Sequence, residues 1–291
     1  MTLVQIAILA VIQGLAELLP VSSSAHVIAA AKIMGVNPST PQFTFLLVML
    51  HTGTMFAVIV YFWQAWKRAF FSSRPQFVSF ARVVVVATIV TGGVGLALKV
   101  VIEKYLKHRH HGVGPAEVEQ LFSHLELLAA SLAAVGVLIL AAGLRKPRGA
   151  ERDEIIDGDA VAIGAIQGLC LPLRGFSRSG ATISVGLLQG LSRVRVEQYS
   201  FALAVVLTPA IVFLEGRRLI THHAQAGASS AAAVGLHDFT PSLLGMILSF
   251  FAGLVALRLL SRLLEHGQWW VFGVYCLAAS AGLFALYHAG Y

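Results

Sequence analysis

Charge is scarce in this chain: of its 291 residues only 12% are Asp, Glu, Lys or Arg, while 57% are apolar and the mean hydropathy is +0.79. That balance excludes an ordinary soluble domain, in which about a quarter of the residues are charged, and points to a polytopic membrane protein. Cysteine is nearly absent. Cys170 and Cys276 are too few and too far apart for a disulfide framework or a cysteine metal site. No basic residue precedes Lys32, so the apolar N-terminus lacks the charged region of a signal peptide and is expected to stay in the mature chain. The net charge of +7 does not indicate nucleic acid, because the basic residues sit mostly in short loops between apolar runs. That distribution is how multi-span proteins orient themselves.

What the chain does contain is an apolar sequence broken twice in the same way. Residues 3 to 19 and 24 to 35 are two apolar pieces joined by Pro20 and three serines, each short of the ~20 residues a spanning helix needs. They read as a re-entrant hairpin. Spans are expected at about 43 to 62, 77 to 102 and 121 to 143, followed by a charged linker from Arg145 to Asp159. The order then repeats, with short pieces around LPLRGFSRSG and spans near 199 to 215, 241 to 260 and 269 to 288.

The repetition extends to individual residues. QGL at 13 to 15 returns at 167 to 169, and at the same offset Ser23 falls on Ser177. In the first full span of each half, Gln42, Phe45, Leu47 and Thr52 match Gln198, Phe201, Leu203 and Thr208. A hairpin adds no net crossing and three spans follow it, so the second half must begin on the opposite side of the membrane. The expected fold is an all-α polytopic membrane protein of two inverted-topology repeats, residues 1–144 and 160–291, joined by a cytoplasmic linker, 145–159. Each repeat is a re-entrant hairpin (3–35 and 160–191) plus three spans, the hairpins meeting near the midplane.

Lys67, Arg68, Arg74, Arg145, Lys146, Arg148, Arg152, Arg193, Arg195 and Arg262 fall on one side of this topology, and only Lys104, Lys107, Arg109, Arg217 and Arg218 on the other. The first side is expected to be cytoplasmic. Both termini, the first hairpin's entry and the Ala/Gly/Ser-rich loop 222 to 238 are then outside.

The two copies differ in their ionisable residues. The first carries Glu17 and His26, where the second has Leu171 and Gly180 and brings Arg174 and Arg178 instead. Such groups in a bilayer cost a few kcal/mol each on insertion scales and call for partners or a task. A buried ion pair bracing the hairpins is one reading. Ser22, Ser23 and Ser24 at one break, and Ser177 and Ser179 at the other, favour a phosphate-handling site. A helix starting after each break aims free N–H groups into the gap, Gly175 and Gly180 permit close backbone approach, and Arg178 suits a phosphate clamp. Beside a dianion, Glu17 would hold a divalent cation or act as a base, and the amide oxygen of Gln13, one turn earlier, could join it. His51, in LHTGT, reads more readily as a packing histidine than as a ligand. The tract holding His108, His110 and His111 reads as a solvated basic loop, and Cys170 as a small packing residue in the place of Ala16.

These paired stretches resemble those of the undecaprenyl-diphosphatase family, the bacitracin-resistance lipid phosphatases of bacterial inner membranes. The family's first motif is matched by Gln13, Glu17, Pro20, Val21, Ser22, Ser23 and His26, and its second by Gly175, Ser177, Arg178, Ser179 and Thr182. The resemblance implies removal of the terminal phosphate of undecaprenyl diphosphate with a divalent cation, Mg2+ or Ca2+, held by Glu17 and partly by substrate oxygens. It assigns catalysis to Glu17, Ser23, His26 and Arg178, with the nucleophile left open between Ser23, His26 and metal-bound water. Gln13, Ser22, Ser24, Arg174, Gly175, Ser177, Ser179, Gly180 and Thr182 are the expected substrate contacts. Two departures stand out: Gln13 supplies no second carboxylate, and Arg174 replaces the family's usual Pro. The expected partners are the polyprenyl diphosphate and membrane lipids, with no nucleic acid. Self-association into a homo-oligomer is left open, and the alternative function is a transporter or flippase of a polyprenyl phosphate lipid.

Overall fold

The computed structural model describes residues 1–37, 40–109, 125–145, 150–173, 175–225 and 236–289. Arg174, Lys146, Arg148, His110, His111 and most of the 222 to 238 loop lie outside the described residues. The first half runs α1 (Leu3–Leu18), α2 (Ser23–Ile33), α3 (Pro41–Ala69), α4 (Arg74–Arg109) and α5 (Leu125–Leu144). The second runs α6 (Asp157–Cys170), α7 (Arg178–Leu188), α8 (Arg193–Gln225), α9 (Leu236–Glu265) and α10 (Trp270–His288). Two short helices followed by three long ones thus occur twice. Among the described residues there is no strand, only an isolated bridge between Arg152 and Leu191.

Local chemistry sets the breaks. Thr2 caps α1 and forms a capping box with Gln5, and the helix stops at Leu18 because Pro20 follows. Thr40 accepts the Phe43 N–H at the start of α3, where Pro41 occupies the first turn. At α6, Asp159 accepts the Ile156 N–H at 3.0 Å and pairs with Arg152, whose already high pKa that hydrogen bond raises further.

Among the described residues, five of the long helices are apolar enough to cross a membrane: α3, α4, α5, α9 and α10. The sixth long helix, α8, was expected to span as well, and it is as long as the others. Its N-terminal half carries Glu197, Gln198, Ser200 and Thr208, with Pro209 inside the helix. On its buried face Ser261 Oγ donates to Glu197 at 2.6 Å, and Trp66 Nε1 donates to the backbone carbonyl of Gln198 at 3.0 Å. Outward-facing side chains such as Ile89, Val60 and Phe251 are well exposed, as a lipid-facing surface requires.

Each hairpin's first helix docks on a span of the other half through glycine. A Cβ on Gly14 of α1 would lie 2.6 Å from the Ser249 carbonyl of α9, and one on Gly168 of α6 would lie 2.7 Å from the Thr91 carbonyl of α4. Such contacts admit no side chain, and they bring helix backbones close where no hydrophobic force separates protein from lipid. The same economy joins α5 to α10, where a Cβ on Gly136 would come within 3.2 Å of the Gly273 carbonyl.

Candidate active site

The breaks of the two hairpins meet at one carboxylate. Ser23 Oγ donates to Glu17 Oε2 at 2.5 Å, and Arg178 Nη2 of the second hairpin donates to Glu17 Oε1 at 3.1 Å. Gln13 Nε2 donates to Glu17 Oε2 at 3.1 Å from one turn back on α1. It is thus the amide nitrogen of Gln13, and not the oxygen considered from the sequence, that faces Glu17. The ion pair that joins the hairpins thus also holds the Ser23 hydroxyl on the same carboxylate.

Glu17, Ser23 and Arg178 border a cavity of about 480 Å3, whereas Gln13, expected as a substrate contact, is not among its lining residues and reaches it only through Glu17. Glu17, Ser22, Ser23, Ser24, Gly175, Ser177, Arg178 and Ser179 all line it. Glu17 and Arg178 keep only 16% and 23% of their side-chain surface, so their pairing sits in a poorly screened setting. Ser22 is the one non-glycine residue with left-handed φ among the described residues, at +66°. The strain turns the chain so that Ser23 opens α2 and aims its hydroxyl back at Glu17.

Three other expected site residues sit elsewhere. Gly180 packs on the first hairpin, where an added Cβ would be 3.2 Å from the Pro20 carbonyl, so the imidazole of the first copy has no room there. Thr182 is buried, bonding to Ser200 Oγ at 2.6 Å and to the Arg178 carbonyl at 2.8 Å, which fixes the turn that carries Arg178. His26 is not among the residues lining the cavity. Its Nδ1 donates to the Ser22 carbonyl at 2.8 Å, and in the neutral ring Nε2 then accepts from the Tyr275 hydroxyl at 2.8 Å. Gly175 lines the cavity, but its φ of +96° serves a close approach to the Leu128 carbonyl, 2.7 Å from where a Cβ would lie.

Two participants were missed in the sequence. His51 lines the cavity with Nδ1 3.0 Å from Gln13 Nε2 and 3.5 Å from Glu17 Oε2. An available signal was spacing: Thr44, Leu47, Val48 and His51 form one helical face of α3, and all four line the cavity. Tyr275 comes from α10, 249 residues after His26, and no local pattern announces it.

The donor set poorly suits a resident divalent cation. Mg2+ and Ca2+ take about six to eight oxygen ligands. Here one carboxylate is offered and both its oxygens already accept hydrogen bonds, and no group of three His, Cys, Asp or Glu able to hold a metal occurs among the described residues.

Set against known proteins, the chain matches the family described as bacitracin resistance protein BacA over residues 6–282. It is 54% identical over 288 residues to undecaprenyl-diphosphatase 2 of Acinetobacter baylyi, covering 98% of both chains. It is 33% identical to undecaprenyl-diphosphatase 2 of Stutzerimonas stutzeri, covering 99% of each, and 32% identical to the undecaprenyl-diphosphatase of Desulfosudis oleivorans, covering 94% of each. An integral membrane protein with a serine–carboxylate–arginine cluster between two broken hairpins is thereby placed in a class. The chain belongs to the BacA family.

Proposed function

We propose that this protein hydrolyses undecaprenyl diphosphate to undecaprenyl phosphate and inorganic phosphate, the activity its relatives' names carry, and so returns the lipid carrier to cell-wall synthesis. The observation that carries the reading is the hydroxyl–carboxylate–guanidinium line from Ser23 through Glu17 to Arg178, at 2.5 and 3.1 Å, bordering a cavity of about 480 Å3. Arg178 exchanges its bond to Glu17 for the terminal phosphate. Ser23 Oγ attacks that phosphorus as Glu17 takes its proton, and the bond to the bridging oxygen breaks to leave the lipid monophosphate. Glu17 passes that proton to the departing lipid monophosphate, then takes one from the water that cleaves the phosphoserine and returns it to Ser23 Oγ as inorganic phosphate leaves. His26, with both ring nitrogens engaged, positions the Ser22 turn. His51 Nδ1, 3.0 Å from Gln13 Nε2, holds the amide whose other N–H donates to Glu17.

A divalent cation enters this scheme as the counter-ion of the diphosphate and not as a resident group. The reciprocal docking of α1 on α9 and of α6 on α4 supports an inverted arrangement of the halves. The ten-to-five Lys/Arg bias supports an inner-membrane orientation with the linker cytoplasmic and the Glu17 cavity opening outward. An Ala150→Cys variant freed of native cysteines should then resist an impermeant thiol reagent applied to intact cells.

The test of function is phosphate release from a prenyl diphosphate by purified protein in detergent. Release that follows enzyme concentration is expected. A folded protein that binds the lipid without releasing phosphate would instead indicate a transporter, since detergent leaves no second compartment to transport into.

A further inference from the structure

At the linker end of the bundle, a second cavity of about 280 Å3 gathers guanidinium groups from Arg145, Arg152 and Arg193. Two spans end at its wall, α5 at Leu144 and α10 at Trp270. The cavity therefore lies where the apolar slab of a bilayer gives way to its phosphate layer, the depth at which tryptophan is favoured.

The three arginines have different duties. Arg152 is committed to structure: it forks onto both oxygens of Asp159 at 3.0 and 3.2 Å and donates to the Gln189 carbonyl at 3.2 Å. Its backbone is tied down as well, Arg152 N to the Gly190 carbonyl at 2.9 Å and Ser192 N to the Arg152 carbonyl at 2.8 Å, so the floor is built before any ligand arrives. Arg145 gives one N–H to the Leu188 carbonyl at 2.9 Å and makes no other side-chain hydrogen bond or ion pair among the described residues. Arg193 makes no ion pair or side-chain hydrogen bond among the described residues, and its guanidinium rests against Gly267, 3.5 Å from where a Cβ would stand. A single carboxylate, the exposed Glu151, also borders the cavity, so positive charge remains in excess.

We infer that this cavity binds the phosphate group of a phospholipid headgroup through Arg193 and Arg145. A guanidinium matches phosphate oxygens in a fork, and basic pockets between spans at the membrane surface take lipid headgroups. The surroundings favour a lipid over free phosphate, because Leu144 and Trp270 beside the cavity are 67% and 42% exposed and offer apolar surface to acyl chains. Arg145 opens the linker directly after α5 of the first half and Arg193 belongs to the second, so a bound headgroup bridges their seam. This site is independent of the Glu17 cavity and stands whatever reaction occurs there.

The test uses delipidated full-length protein in detergent, with the unfolding midpoint followed as short-chain phosphatidylglycerol or inorganic phosphate is added. The midpoint should rise with phosphatidylglycerol. Arg193→Gln should need roughly tenfold more lipid for the same rise, the loss of a charge-assisted contact. Ala150→Glu, which leaves every arginine in place and adds a like-signed competitor at the cavity rim, should weaken binding similarly. Both variants should keep wild-type unfolding midpoints without lipid and wild-type phosphate release. A rise produced equally by inorganic phosphate would assign the site to the free anion. No rise, or the same rise in wild type and both variants, would overturn the proposal.

Discussion

The two hairpins begin from the same residues and end in different employment. Gln13 and Gln167 occupy equivalent places on α1 and α6, yet Gln13 donates to Glu17 and His51 while Gln167 is fully buried and donates to Thr91 Oγ1 at 3.1 Å. Ser23 and Ser177 diverge in the same sense. Ser23 is the first residue of α2 and sends its hydroxyl to a carboxylate, whereas Ser177 is the cap of α7 and its hydroxyl accepts the Gly180 N–H at 3.2 Å. The difference between the serines is one position in the helix start, set by the left-handed turn at Ser22. The repeated hairpin thus gives one copy whose serine hydroxyl faces a carboxylate and one whose serine hydroxyl caps the helix that carries Arg178.

The comparison can be broken most severely at Glu17 and its counterpart Leu171. Glu17→Gln keeps the shape but removes the base, and phosphate release should fall on the order of a thousandfold. Leu171→Gln puts the same amide in the other copy and should leave turnover within about threefold, because Leu171 partners no reacting group. Steady-state rates on the two variants compare them directly, and equal losses would mean the copies share the chemistry.

A smaller effect is expected at the clamp. Arg178→Lys retains the charge but loses the planar fork, so kcat/KM should drop about tenfold or more. Wild-type kinetics in that variant would reduce Arg178 to a brace for Glu17.

The smallest expected effect sharpens the role of His26. Tyr275→Phe removes one hydrogen bond to Nε2 and leaves the ring stacking on His26, a change worth ~0.5 to 1.5 kcal/mol. The expected outcome is a kcat lowered about threefold to tenfold with KM unchanged, since the Ser22 turn loosens without disturbing Arg178. A raised KM with normal kcat would place Tyr275 in lipid binding instead.

Much of this site was legible because its breaks interrupt apolar runs with residues a membrane penalises. Glu17, Ser23 and Arg178 stood out on that ground alone, and the offset between the copies paired them before any coordinates. The fold was legible for a similar reason, since hydropathy marks spans; what the chain alone does not show is how α8 seats its buried Glu197, which accepts from Ser261 Oγ of α9. What stayed hidden was tertiary. Gly175 and Gly180 looked like anion-cradling glycines and proved to serve backbone packing against Leu128 and Pro20. His51 looked like packing because nothing in α3 alone shows that its face meets Glu17. The orientation of Gln13 depended on His51 in turn, since an amide facing both a carboxylate and an imidazole nitrogen presents its N–H groups to them.

The central claim is that the first hairpin reacts and the second holds. It is tested most directly by measuring phosphate release and diphosphate-lipid binding together on Ser23→Ala and Ser177→Ala. Ser23→Ala should bind the lipid as wild type does and release no phosphate. Ser177→Ala should keep its turnover number, raise KM severalfold and lose about 1 kcal/mol of stability with its helix cap. Substantial turnover by Ser23→Ala would contradict the claim and move the nucleophile to water or to another side chain of the cavity.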